Sequence, residues 1–180
     1  GQTDAQVAFL ARGAGSTLFL TRREAVLKLG APGREPDVLR LRLAGGRRSP
    51  RVVGLEPQTT RSSYFLGHDP SRWRPGVAHF GRVRYEQVYP GIDLVYYGRQ
   101  SQLEFDFVVK PGADPRRIRL DFQGAERLEI DGAGDLLVHL RGGLLRQHKP
   151  VVYQERDGQR EPVAGAYVAA GPRRVAFQLG

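Results

Sequence analysis

Apolar and polar residues alternate with a period of two along almost the whole chain, so each segment must bury one face as a β-strand. The pattern is clearest in Tyr89-Pro90-Gly91-Ile92-Asp93-Leu94-Val95-Tyr96-Tyr97-Gly98. It continues through Leu103-Glu104-Phe105-Asp106-Phe107-Val108-Val109-Lys110 to Pro111-Gly112-Ala113-Asp114-Pro115. These runs read as a hairpin closed at both ends by Pro-Gly punctuation. The same rhythm recurs in Leu39–Leu43, Ile118–Phe122, Leu128–Asp131, Leu137–Leu140, Val151–Glu155 and Val175–Leu179, with Asp157-Gly158 as a hairpin turn after the fifth. About a dozen short strands with little or no helix predict an all-β, antiparallel β-sandwich-like domain.

Three segments interrupt the rhythm: Gly30–Pro36, the basic stretch Gly45–Pro57, and the proline-bracketed Gly67–Gly76 that holds the single tryptophan. At 180 residues one β-rich domain spanning 1–180 is expected. A division into lobes 1–66 and 77–180, joined by the loop 67–76, is the alternative arrangement. The absence of cysteine excludes disulfides, thiolate metal sites and cysteine nucleophiles. No apolar run approaches the roughly 20 residues of a membrane helix, so membrane insertion is not expected. The opening Gly1-Gln2-Thr3-Asp4, without methionine, is what a processed or excised piece would show.

The net charge of +9 raises nucleic acid as a partner, because clustered Lys and Arg neutralise phosphates. The distribution argues otherwise. Lys28, Lys110 and Lys149 are the only lysines among 28 basic residues, and asparagine and methionine are absent. A GC-rich coding sequence produces that profile by itself. The doublets Arg22-Arg23, Arg47-Arg48, Arg116-Arg117 and Arg173-Arg174 are scattered along the chain. Polyanion binding through them stands behind the other readings.

Glu104 and Asp106 lie two apart on a strand, so both carboxylates leave one face. Paired carboxylates are the equipment of glycoside hydrolysis, which makes these two the catalytic candidates. Leu103, Phe105 and Phe107 take the other face, however, so the pair also reads as the solvated side of an amphipathic strand. Arg119 and Asp121 on the next strand are expected to pair with it. Asp131 and Asp135, in Asp131-Gly132-Ala133-Gly134-Asp135, are the metal candidates for a weak surface calcium site, with Asp114 or Asp157 as contributors from other loops. A hairpin turn explains the same glycines without a metal, and no cofactor is expected. The histidines (His68, His79, His139, His148) lack zinc spacing, and Ser62-Ser63 lies in no nucleophile elbow. Tyr96 and Tyr97 are adjacent on a strand, so one enters the core and the other faces outward. With Trp73, flanked by Arg72 and Arg74, they are the candidate ligand-binding residues, since exposed rings with a polar tip suit sugars.

Several segments resemble a known bacterial domain: Gly1–Gly13 with Thr17–Thr21, Tyr64-Phe65-Leu66-Gly67 with Trp73, Tyr89–Gly98, Leu103–Pro115, Lys149–Gln154 and Val175–Phe177. The chain is similar to the N-terminal domain of unknown function that precedes SBBP-type β-propeller repeats in secreted bacterial proteins. Ser16 departs from it, standing where an aromatic is expected. The resemblance implies an exported, extracellular or cell-surface location and adjacent β-propeller repeats of the same chain as partners. It implies no activity and no site residues. The expected function is a non-catalytic interaction or structural module. A polysaccharide-binding module is the alternative, and a carbohydrate-active hydrolase stands behind both.

Overall fold

The computed structural model describes residues 4–13, 15–30, 33, 35–65, 67–99 and 102–180, with backbone only at 99 and 102. Among them the chain forms strands and turns, with two single-turn 3-10 segments and no α-helix. The first strands are β1 (Val7–Gly13), β2 (Ser16–Thr21), β3 (Ala25–Leu29), β4 (Asp37–Leu43) and β5 (Arg51–Tyr64). Next come β6 (Arg74–Tyr89), β7 (Ile92–Arg99), β8 (Gln102–Val109), β9 (Arg119–Gln123), β10 (Arg127–Ile130) and β11 (Leu136–Leu140). The series closes with β12 (Gly143–Gln147), β13 (Val152–Arg156), β14 (Gln159–Val163), β15 (Gly165–Gly171) and β16 (Arg174–Leu179). The expected all-β, antiparallel, sandwich-like class is what forms.

Seven strands make the main sheet in the order β1-β2-β3-β4-β9-β16-β15, and β5-β6-β7-β8 form a four-stranded meander. A three-stranded sheet β10-β11-β12 and the hairpin β13-β14 complete the fold. One face of the main sheet is covered twice. Leu18, Leu20 and Ala25 pack against Val83, Tyr85, Ile92, Leu94 and Tyr96 of the meander. Leu39, Leu120, Phe122 and Val175 pack against Leu136, Val138 and Leu140 of the three-stranded sheet. Leu27, Leu41, Leu43, Phe105, Phe107 and Phe177 border both clusters and make the core continuous. Ile92, Leu120, Leu136 and Val138 are fully buried, each contributing about 1.5–3 kcal/mol relative to exposure. Rings run through the core from Tyr85 to Tyr96, Phe105, Phe107, Phe177 and Tyr167, with successive centroids 5.4–6.0 Å apart.

Polar hooks tie the sheets together. The Tyr85 hydroxyl donates to the Thr21 carbonyl at 2.7 Å, and the Tyr89 hydroxyl donates to that of Ala44 at 2.9 Å. A bulge at Gln87 (φ 49°) is held by the buried Asp93, whose carboxylate accepts from the Gln87 N–H at 2.7 Å. Asp157 and Gly158 both take positive φ, as a two-residue hairpin turn requires.

Two expectations fail locally. Strand β9 does not pair with β8. The chain crosses from the meander into the main sheet, where β9 lies between β4 and β16. Asp121 therefore meets Arg174, and neither it nor Arg119 reaches Glu104 or Asp106 as the sequence suggested. The basic stretch read as a break up to Pro57 becomes strand from Arg51 onward, because β5 pairs with β6 through Val52↔Tyr85 and Gly54↔Val83. Segment 67–76 lies at the tip of that β5–β6 hairpin. The main sheet and the meander each draw strands from both sides of it.

Candidate functional site

The outer face of the meander gathers three of the residues singled out by sequence. Alternation along β7 sends Ile92, Leu94 and Tyr96 into the core and Val95 and Tyr97 outward. Cross-strand register then sets Leu55, Arg82, Tyr97 and Glu104 in one row and Val53, Arg84, Val95 and Asp106 in the next. The Tyr97 hydroxyl donates to the Asp106 carboxylate, with both oxygens at 3.1 Å. The Arg82 guanidinium lies 5.2 Å from the Tyr97 ring centroid while its Nε pairs with Glu56 at 2.9 Å. Desolvation, with the Asp106 and Glu104 carboxylates beside it, pushes the Tyr97 phenol up to about 12. Arg84 bonds Glu86 at 3.0 Å, and its Nε is buried without a partner among the described residues.

This face is a ladder of charges organised around one phenol. Glu104 and Asp106 share it, as their spacing required, with Asp106 engaged by Tyr97. Tyr96 does not belong to it: the ring is 5% exposed and stands edge-on to Tyr85 in the core. Arg82, Arg84 and Glu86 are the participants the sequence reading passed over. Their signal was present, since they alternate with the core residues Val83 and Tyr85.

Trp73 lies elsewhere. The last registered β6–β7 pair is Arg82↔Tyr97, so β5 and β6 run on beyond the sheet as a two-stranded ribbon. At roughly 3.3 Å per residue this puts Trp73 about 25–30 Å beyond Tyr97, and the two rings form no common platform. The ribbon is rooted where Phe80 covers Gly54 and meets Phe9 of β1 edge-on at 5.6 Å. At the tip, Asp69 caps a 3-10 turn by accepting from the Ser71 N–H, and Trp73 Nε1 donates to the Gly67 carbonyl at 3.2 Å. Phe65, not Arg72 or Arg74, is the ring's neighbour, 5.4 Å away and edge-on. Phe65 is 59% exposed and Trp73 36%.

At Asp131 and Asp135 the carboxylates face a guanidinium. Arg146 Nη1 lies 2.9 Å from an oxygen of each. The remaining Asp131 oxygen accepts the N–H groups of Ala133 and Asp135 as a turn cap. The Lys149 N–H, then Arg146 and His148, hold the Asp135 carboxyl below its usual range. A calcium ion at this pair would have to displace Arg146. Asp114 caps its own 3-10 turn and pairs with Arg116 at 2.9 Å, and Asp157 occupies the β13–β14 turn. An open groove of about 730 Å³ runs between Ala113–Arg116 and Val168, Phe177 and Leu179 of the main sheet's edge.

No helix among the described residues is long and apolar enough to cross a membrane. Nothing among curated proteins or solved structures matches the chain. A family model described as a domain of unknown function, DUF7948, matches residues 1–180, and the chain belongs to that family.

Proposed function

We propose that this domain is a non-catalytic interaction module of an exported bacterial multidomain protein, placed ahead of a β-propeller and docking on it through the β5–β6 ribbon. The observation that carries the reading is the exposed Phe65–Trp73 pair at the end of a ribbon whose base is packed into the fold. Large rigid rings at a protruding tip are the anchors that interfaces favour, each worth about 2 kcal/mol or more when it fills a partner pocket. The test is titration calorimetry of the domain against the propeller repeats that follow it. The double variant Phe65→Ala/Trp73→Ala is expected to lower affinity at least about 30-fold, the loss that one anchor at that value supplies by itself. Its melting temperature should stay near wild type, because both rings are already exposed. Unchanged affinity in the folded variant would remove the tip from the interface.

A second reading, polysaccharide binding, is favoured by Tyr97 in particular. Its partly exposed ring has carboxylates beside it to accept sugar hydroxyls. Stacking on that ring requires Arg82 to swing away from it. In a screen of cell-wall polysaccharides, saturable binding weakened by Tyr97→Ala or Trp73→Ala supports this reading. Binding indifferent to both variants excludes these rings.

A further inference from the structure

The sequence scatters its arginine doublets, but the fold reunites two of them at one end of the sandwich. Arg22 and Arg23 sit in the β2–β3 turn and Arg47 in the β4–β5 connection, and all three line one small crevice with Glu24 and Pro50. Its floor is apolar, made of Tyr85, Val88, Leu94 and Tyr96. Arg48 follows on the same exposed loop. Both rim segments are fixed by hydrogen bonds. The Thr21 hydroxyl accepts from the Arg23 and Glu24 N–H groups at 3.1 Å, and the Tyr85 hydroxyl holds the Thr21 carbonyl. The Arg47 N–H donates to the Val88 carbonyl at 2.8 Å. Glu24 is the one carboxylate at the rim, and it is already claimed by Arg40 and Arg42 from the open face of the main sheet. Among the described residues no carboxylate lies within ion-pair distance of Arg22, Arg23, Arg47 or Arg48. Six arginines against one glutamate concentrate at this end a large part of the chain's excess of +9.

We propose that this rim binds an acidic polysaccharide, whose repeated sulfate or carboxylate groups are taken by the unpaired guanidinium forks. Charge complementarity selects the class of ligand. Arginine offers planar, paired donors that match carboxylate and sulfate oxygens two at a time. Turns pinned to the core fix the backbone from which several forks project, so a polymer with regularly spaced anions gains several contacts without reordering the main chain. Nucleic acid fits less well. The rings at this end are the floor and are buried, leaving none to stack a base, and two short turns supply no helix or ribbon to enter a groove.

The experiment measures binding of dextran sulfate, polygalacturonate and a duplex DNA to the intact domain at low and moderate salt. Arg22→Gln/Arg23→Gln/Arg47→Gln is compared with an equal loss of charge elsewhere, Arg117→Gln/Arg156→Gln/Arg173→Gln. The rim variant is expected to lose at least tenfold in affinity for one of the polysaccharides, and the control less than threefold. Circular dichroism and melting should match wild type in both, because every substituted side chain is exposed and the rim's backbone bonds remain. Equal losses in the two variants would mean a diffuse charge effect and overturn the site. Absence of polysaccharide binding at low salt would overturn it as well. DNA binding as tight as the better polysaccharide, with the same dependence on the rim, would overturn the assignment of the ligand.

Discussion

Tyr85 and Tyr96 pack edge to face, with centroids 5.7 Å apart, and both are 5% exposed, yet deleting their hydroxyls should have different consequences. The Tyr85 hydroxyl joins the meander to the main sheet by donating to Thr21 at 2.7 Å. Tyr85→Phe loses that bond and leaves a half-buried carbonyl without its donor, a cost of about 1–2 kcal/mol. For a domain of this size that lowers the melting temperature by about 3–6 °C. The Tyr96 phenol is pushed up by burial alone, with no hydrogen-bonding neighbour contributing. Tyr96→Phe removes a hydroxyl that makes no hydrogen bond between the sheets, so its effect should lie within about 0.5 kcal/mol of zero, or stabilise. Urea unfolding followed by fluorescence and by circular dichroism, with coincident transitions, measures both values. Equal destabilisation by the two substitutions would refute the argument that the inter-sheet bond sets the difference.

Three further outcomes follow from the same structure. Burial pushes the Tyr85, Tyr89, Tyr96 and Tyr167 phenols above the ordinary value of 10.0, Tyr167 to about 12. The folded chain keeps protons that the unfolded chain releases above that value. Their contribution is therefore intact below pH 10.0 and lost as pH rises through the folded values, so the urea midpoint should fall between about pH 9 and about pH 11. Asp135 runs the other way. Its folded value lies below 3.8, so its contribution is present above that pH and lost as pH falls beneath it, and Asp135→Asn should flatten the acid limb of the urea midpoint against pH. Gly124 sits at φ +96° with the Val38 carbonyl oxygen 2.2 Å from where a Cβ would be. Gly124→Ala should cost more than about 3 kcal/mol, whereas Gly112→Ala, at φ +80° in open space, should cost only about 1 kcal/mol by thermal melting.

Much of the site was legible one residue at a time. A period of two sends neighbours to opposite faces, so it followed from sequence that Tyr96 and Tyr97 part company and that Glu104 and Asp106 stay together. What lay beside them was not legible. Tyr97 meets Asp106, and Arg82 covers its ring, because of the register among β6, β7 and β8, and register is a property of pairs of strands. The same limit explains the misplaced partners of Glu104 and Asp106. Succession in the chain made β9 look like the neighbour of β8, but β8 ends the meander and β9 enters the other sheet. At Asp131 and Asp135 the turn was readable from its glycines. Arg146, two strands away in sequence, could be placed between them only once β11 and β12 were paired.

The sequence by itself determined the all-β class, the glycine and proline turns that end most strands, and the face on which each side chain leaves its strand. Those depend on contacts within a few residues: steric alternation along an extended backbone, and glycine or proline where φ must be unusual. Tertiary structure decided which strands became neighbours, that β5 and β6 continue past their sheet as an aromatic-tipped ribbon, and that Arg22, Arg23 and Arg47 meet at one crevice. These depend on where the main sheet buries its apolar face. That choice is made by the summed area of the whole core, to which no local stretch of residues has access.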